Sequence, residues 1–446
     1  VSEGKVLVVG TTFDYISHIN QHAPGQALFI TESQERLRHL AEAPAADSEI
    51  VTNLRRPHEV VRLLSNHLHR THSRLRGVVA FDCEAMELAS LIGHHFGLPY
   101  PSLEVIRTCH NKFLTKAAWE KHGVNSSHAA TVSAVPEALT FAENHGYPVI
   151  LRPLTGTGSV LTFKCSDRLD IIEAFGILKA GSAGSCGKTG KPGQCGTGGD
   201  VFEIEQFVTG REFSADFRID NGFVEIVRIA RKIPETGPYF GTTRAYVVPG
   251  RLPGELPQEL LREQIAGAAL ALGLTRGLCM VDFMVQQGQP VFLELTPRPG
   301  GDCLPDLIRQ SVGVDMLLFA LDHARGKHNS IPPADRWTRL VGLRLLTRDA
   351  GQIRRIDASA LQSYPGVRMS KILRTPGHRV ILPPDDYDSR LLGHVIFEPS
   401  PTPTLEEQIE CLAGGLTIEM EPGDAQFTSG KTLPGCSAAG AEDSAA

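Results

Sequence analysis

Two strand-like runs, LCMVDFMV at 278–285 and VFLELT at 291–296, are separated only by QQGQP, and that spacing commits the middle of the chain to a tight antiparallel hairpin. With Gly288 as its midpoint, Asp282 lies opposite Glu294, Met284 opposite Phe292 and Met280 opposite Thr296 on one face. The other face is apolar throughout: Val281, Phe283, Val285, Leu293 and Leu295. Two carboxylates confronting each other on such a hairpin repel, so the pair calls for a cation between them. A divalent magnesium is the simplest choice, because it takes oxygen ligands and bridges one or two carboxylates to nucleotide phosphates. Pairing with a Lys or Arg from a neighbouring element is the alternative. Thr296 points the same way as Glu294 and is placed to orient a ligand water. Arg298 follows one short turn later, with Gly300 and Gly301 allowing close backbone approach.

A chain of 446 residues exceeds one ordinary core, and about three domains of ~150 residues with clefts between them are expected. A 41% hydrophobic and 21% charged composition indicates a globular chain. The net charge of −6 and the absence of a long basic run argue against nucleic acid as a partner. Nine scattered cysteines without a CxxC pair read as reduced, mostly buried thiols. No signal-type segment and no run of ~18 apolar residues is present, so no membrane partner is expected and a cytoplasmic location is.

Residues 1–105 read as a small α/β domain. Strands are expected at 5–9, 27–31, 50–52 and 77–81 and a helix at 87–97, giving a parallel sheet of four or five strands. Gly10 closes the first strand either as a phosphate turn or as an ordinary strand-to-loop glycine; no GxGxxG pattern supports the former. A single helical pattern runs over 102–122 and stops at Gly123. An α+β unit follows at about 125–208. It has strands near 129–132 and 148–153, helices near 136–145 and 169–178, the loop TGTGS at 155–159, and a glycine-dense stretch at 181–200 expected to be a mobile surface loop. Beyond Trp337 a small α+β subdomain is expected over 336–425, with a late helix opened by the capping box Thr404 to Glu407. Residues 426–446 are expected to be a disordered tail.

Taken together and in order, residues 106–325 resemble the ATP-grasp superfamily, which implies a multidomain α/β and α+β fold with a core over 106–335. ELTPRPGG is similar to the family's Glu-x-Asn-x-Arg strand, with Glu294 and Arg298 matching and Thr296 in place of Asn, and Asp282 stands at the preceding metal acid. The resemblance therefore implies Mg²⁺, or alternatively Mn²⁺, on Asp282, Glu294 and Thr296. EQFVTGRE resembles the hinge at which Glu205, Gln206, Phe207 and Val208 would meet adenine through main-chain groups and Glu212 would bind the ribose. HNKFLTKAAWEKHGV is similar to the helix whose Lys112 reaches the phosphates. In YPVILRP, Arg152 replaces the family's second phosphate lysine. Thr155, Gly156, Gly158 and Ser159 would form the lid loop, Lys232 would lie near the γ-phosphate, and Met280 and Phe292 on the acid-bearing face would pack on the nucleotide.

The continuation over 300–327, PGVRMSKIL at 365–373 and GHVIFEPSPTPTLEEQIECL at 393–412 look most like ligases that join amino acids to amino acids or other amines. That resemblance implies a carboxylate–amine ligase working through an acyl phosphate steadied by Arg298, with Lys232 assisting transfer and small carboxylates and amines as substrates. A homodimer is compatible with it. A carboxylase or nucleotide-precursor ligase, and an ATP-binding protein without chemistry, are the alternatives, the latter motivated by Thr296 and Arg152.

Overall fold

The computed structural model describes residues 4–39, 43–156, 158–184, 200–237 and 239–421. Most of the 181–200 loop, Thr157 and the expected tail therefore lie outside the described residues.

The N-terminal strands β1 (Lys5–Val9), β2 (Ala27–Glu32), β3 (Glu49–Thr52) and β4 (Leu75–Val79) form a parallel sheet of order β3-β2-β1-β4. It is the four-stranded version of the expected sheet, with β4 ending two residues earlier than predicted. Between and after the strands run α1 (Phe13–His22), α2 (Ser33–Arg38), α3 (Pro57–Thr71) and α4 (Met86–Phe96). These short runs are apolar on both sides because helices cover both faces. Leu7, Val9 and Val78 pack with Val60, Leu64 and Ile92 on one side, and Val6, Val8 and Phe29 pack on the other.

The helical pattern over 102–122 is two helices, α5 (Leu103–His110) and α6 (Lys112–Lys121). Asn111 divides them: it leaves helical geometry at φ −95° and ψ 109°, and its Oδ1 accepts from the Leu114 N–H as the cap of α6. A second sheet, β5-β8-β6-β7, is built from β5 (Ala129–Val132), β6 (Val149–Pro153), β7 (Phe163–Cys165) and β8 (Phe202–Gln206). α7 (Val135–His145) and α8 (Arg168–Gly184) cover one side of it, with Phe175 and Phe202 in the shared core. The short β7 has too few residues to show a period and went unrecognised in the sequence.

The centre is an eight-stranded antiparallel sheet of order β13-β12-β9-β10-β11-β14-β18-β16. Its strands are β9 (Arg211–Asp220), β10 (Phe223–Pro234), β11 (Thr243–Val248), β12 (Arg276–Gln286), β13 (Gln289–Thr296), β14 (Leu340–Leu346), β16 (Val367–Ile372) and β18 (Leu391–Phe397). The C-terminal stretch thus extends the central sheet, while β15 (Gly351–Asp357), β17 (Arg379–Val380) and β19 (Thr417–Glu421) make a small sheet of their own. The remaining helices are α9 (Gln258–Ala271), α10 (Leu304–Val312), α11 (Met316–Ala324), α12 (Ser359–Gln362) and α13 (Leu405–Gly414), the last with the Thr404–Glu407 capping box in place.

Strand alternation divides the central sheet into two unlike faces. One is apolar, with Phe213, Phe217, Val281 and Phe283 packed on α9 and Val247, Leu343 and Phe397 grouped with Ile409 and Leu412 of α13. The other carries Glu294, Asp282, Glu212, Lys232, Tyr246, Arg344 and His394 across seven strands, each placed there by the pairing register. α10 and α11 share a core with β1, β2 and Phe81, which joins the N-terminal sheet to the edge of this polar face.

His323 of α11 shows what the join costs a titratable group. Burial, with help from Arg276 and Arg218, pushes it from 6.5 to about 4. The unfolded chain therefore binds the extra proton first, and this contribution to stability is complete above 6.5 and is lost as pH falls toward 4. We expect His323→Gln to flatten the acid side of the stability profile between those limits, measured by urea unfolding at a series of pH values. An unchanged slope would refute the assignment.

Candidate active site

The hairpin supports the predicted pairing at its open end and corrects it near the turn. Asp282 pairs with Glu294 and Met280 with Thr296, but a register shift just below makes Phe283 face Phe292 and Met284 face Val291. The turn residues Gln287 and Gly288 both take positive φ, at 49° and 71°, which makes the loop two residues long. The extra residue is taken up as a bulge at Leu293. Phe292 is consequently turned to the apolar face, where it is fully buried against Trp119 and Phe283. Its expected packing on a nucleotide is thus replaced by a core role, and Met280 keeps its place on the acid-bearing face.

On that face, Lys232 Nζ donates to Asp282 Oδ2 at 2.9 Å and also pairs with Glu212. The protein thus supplies a cation beside Asp282, as the alternative reading of the hairpin foresaw. It does not satisfy both acids. Asp282 Oδ1 is buried with no hydrogen-bond partner, and among the described residues Glu294 makes no hydrogen bond or ion pair. Burial pushes Glu212 up, with Lys232 opposing and Asp282 adding. Among the described residues no three His, Cys, Asp or Glu side chains converge on one point. A divalent ion here would have two carboxylates and would take its other ligands from phosphate and water, which is how magnesium is usually held beside a nucleotide. The orphaned Oδ1 and the unpaired Glu294 fit that requirement.

Lys112 begins α6, and its Nζ donates to the Gly156 carbonyl at 2.8 Å, so the helix start and the TGTGS loop meet. Burial, then the nearby Arg152, lowers its pKa. In the same loop Gly156, Gly158 and Ser159 all have positive φ, and Ser159 Oγ donates to the Gly241 carbonyl at 2.9 Å. Thr155 precedes this turn, one residue removed from the end of β6. At the end of β8 the Gln206 N–H donates to the His128 carbonyl, at 2.9 Å, and the chain then leaves the sheet at Phe207 and Val208. Lys164 Nζ lies 4.4 Å over the Phe207 ring.

Arg152 is engaged within the protein: Nε donates to Glu203 at 2.7 Å and Nη2 pairs with Glu205 at 2.6 Å. The register β6-β8 explains this, since Arg152 stands opposite Glu203 with Glu205 two residues along the same face. Glu205 also accepts from Ser127 Oγ at 2.5 Å and pairs with Lys116 Nζ at 3.2 Å. Burial pushes Glu203 up, while Arg152 and then Lys116, working against burial, hold Glu205 down to about 2. This buried network ties the second sheet to the hairpin, because Lys116 Nζ also donates to the Phe292 carbonyl at 3.0 Å. Sequence reasoning took Glu205 for a main-chain contact and passed over Lys116 and Glu203. The alternation of FEIEQ and the spacing of Lys112 and Lys116, one helical turn apart, were the available signals.

Arg298 reaches out of the central domain. Its Nε donates to Cys83 Sγ at 3.1 Å and its Nη1 to the Pro299 carbonyl at 2.8 Å. The loop behind it is held by a buried pair: Arg228 grips Asp216 through two bonds of 2.9 and 3.0 Å, and Asp216 Oδ1 accepts from the Gly300 N–H at 2.9 Å. Asp302, at φ +60°, pairs with Arg344 at 2.7 Å. The arrangement is a pair of opposed acids, flanking cations, and an arginine facing a cleft shared with the N-terminal domain.

A family model described as "ATP-grasp domain" matches residues 145–306. The chain is 26% identical over 309 residues to the uncharacterized protein y4rH of Sinorhizobium fredii, covering 68% of this chain and 60% of that one. It is 26% identical over 366 residues to human carnosine synthase 1, covering 79% of this chain and 43% of the relative. The chain thus spans about half the length of these relatives. The structure superposes on an L-amino acid ligase from Bacillus licheniformis with a TM-score of 0.74 at 18% identity, covering 95% of this chain and all of the other. Among the described residues no helix is long and apolar enough to cross a membrane.

Proposed function

We propose that this chain, whose residues 145–306 match an ATP-grasp domain, is an ATP-dependent carboxylate–amine ligase, forming an amide between an amino acid and a second amino acid or amine. The observation that carries the reading is the pair Asp282 and Glu294, opposed across the hairpin with an orphaned Asp282 Oδ1 and no partner for Glu294 among the described residues. The L-amino acid named for the similar ligase and the carnosine named for the similar synthase support it.

In this reading Asp282 and Glu294 hold Mg²⁺, and Thr296 orients one of its waters. The ion, when bound, neutralises phosphate oxygens and so lowers the barrier to phosphoryl transfer. Lys112 and the 155–159 loop embrace the phosphates, with Glu212 on the ribose and the 205–208 segment at the base. Lys232 would exchange part of its pairing with Glu212 and Asp282 for phosphate oxygens. Arg152 acts one step back, fixing Glu205 and Glu203 beneath the nucleotide. The acid's carboxylate attacks the terminal phosphorus, ADP departs, and an acyl phosphate forms. Arg298 then steadies the charge that develops as the amine attacks the acyl carbon and phosphate leaves. Closure of the loop keeps water from the mixed anhydride.

The test is a phosphate-release screen over pairs of amino acids, small acids and amines, with mass spectrometry of the products. The expected result is ADP formation that needs both an acid and an amine, and a product equal in mass to their sum less water. ADP formation driven by bicarbonate, or none under any pairing, would overturn the proposal.

A further inference from the structure

On the ligase reading, which this step rests on, we propose that Asp82 is the general base that takes the proton from the incoming ammonium in the amide-forming step. Asp82 follows β4 at the carboxyl end of the parallel sheet, where open α/β sheets present ligand-binding groups. Its neighbour Cys83 accepts the 3.1 Å hydrogen bond from Arg298, so Asp82 stands next to the group that would hold the acyl phosphate.

Asp82 is mostly withdrawn from solvent, yet among the described residues its carboxylate makes no hydrogen bond or ion pair. Three other carboxylates near this cleft are engaged. Asp14 pairs with Lys371 at 3.0 Å, Asp302 with Arg344 at 2.7 Å, and Asp306 with Arg309 at 2.6 Å and His394 at 3.2 Å. A second, independent group is in the same condition. Thr11 lies two residues past the end of β1, the strand beside β4, and is 8% exposed with an unpartnered hydroxyl. Two largely desolvated polar groups without partners among the described residues, in the loops just beyond two adjacent strands, point to a polar ligand near Arg298.

An amino group arrives mainly as the ammonium and cannot attack until it loses a proton. Asp82 accepts that proton. The freed nitrogen lone pair forms the bond to the acyl carbon, the bond from that carbon to the phosphate oxygen breaks with its electron pair, and the nitrogen's surplus proton leaves with the phosphate. Burial pushes Asp82 up to about 7, with Arg298 opposing and Glu84, Asp14 and Glu35 adding, which suits a base working near neutrality. Tyr15 of α1 and Asp306 of α10 complete the charged and titratable surroundings on the facing elements.

Hydroxylamine separates the two half-reactions, because it is largely unprotonated at neutral pH and traps an acyl phosphate as the hydroxamate without a base. With Asp82→Asn we expect ATP-dependent hydroxamate formation within about threefold of wild type. Amide formation with an ordinary amine should fall ~10²-fold in kcat, and the acid limb of its pH profile near 7 should disappear. Asp82→Glu should restore part of the amide product. The readout is the ratio of two products from one preparation, so partial unfolding does not imitate it. Parallel loss of both products, or amide formation within threefold of wild type, would overturn the role of Asp82. Wild-type protein that yields no hydroxamate with any acid would instead overturn the ligase reading, and this step with it.

Discussion

Glu294→Gln should lower ATP-dependent phosphate release by about 10²- to 10³-fold while shifting the melting temperature by only a degree or two. The asymmetry follows from its surroundings. Glu294 is half-buried and pairs with no described residue, so the amide strands no buried partner when it replaces the carboxylate. What is lost is one of two negative ligands to the metal, in a site that offers few others. Asp282→Asn would be less clean, because Lys232 would be left with Glu212 alone. Phosphate release in the presence of a productive acid and amine, set beside a thermal melt, decides the matter. Turnover within tenfold of wild type would remove Glu294 from the metal site.

Arg228→Met should cost about 3–5 kcal/mol of stability, because it leaves Asp216 charged, fully buried and unpaired. Wild-type Arg228 makes two bonds to Asp216 and two more to Ser214, to its carbonyl and its hydroxyl, both at 2.7 Å. The double change Asp216→Leu with Arg228→Met should recover most of the stability, since no orphan charge remains. It should recover less of the activity, because the Gly300 N–H still lacks the acceptor that sets the loop carrying Arg298. Denaturant unfolding and turnover of the single and double variants separate the two effects. A single variant as stable as wild type would show that the pair contributes little to the fold.

Local pattern was enough where neighbours in sequence decide the outcome. The alternation of 278–296 around a glycine turn placed Asp282 against Glu294 and Met280 against Thr296, as the register has them. The same arithmetic failed from the very next residue toward the turn, where Phe283 takes the place opposite Phe292. Gln287 and Gly288 form a two-residue loop, and the bulge that absorbs the surplus residue answers to packing against Trp119, which no local period reveals. Asn111 carries a cap signal that can be read from sequence, but it was outweighed by a helical pattern continuing on both sides of it.

The residues by themselves determined that this chain builds a sheet with one apolar and one acid-bearing face, because strand periodicity and side-chain chemistry are local properties. Only the tertiary structure decided which charges neutralise which: Lys232 with Asp282 and Glu212, Arg152 with Glu203 and Glu205, and Arg298 reaching Cys83 215 positions away. Charge pairing in a buried site depends on distance and desolvation in three dimensions, and neither is encoded in the spacing of the groups along the chain.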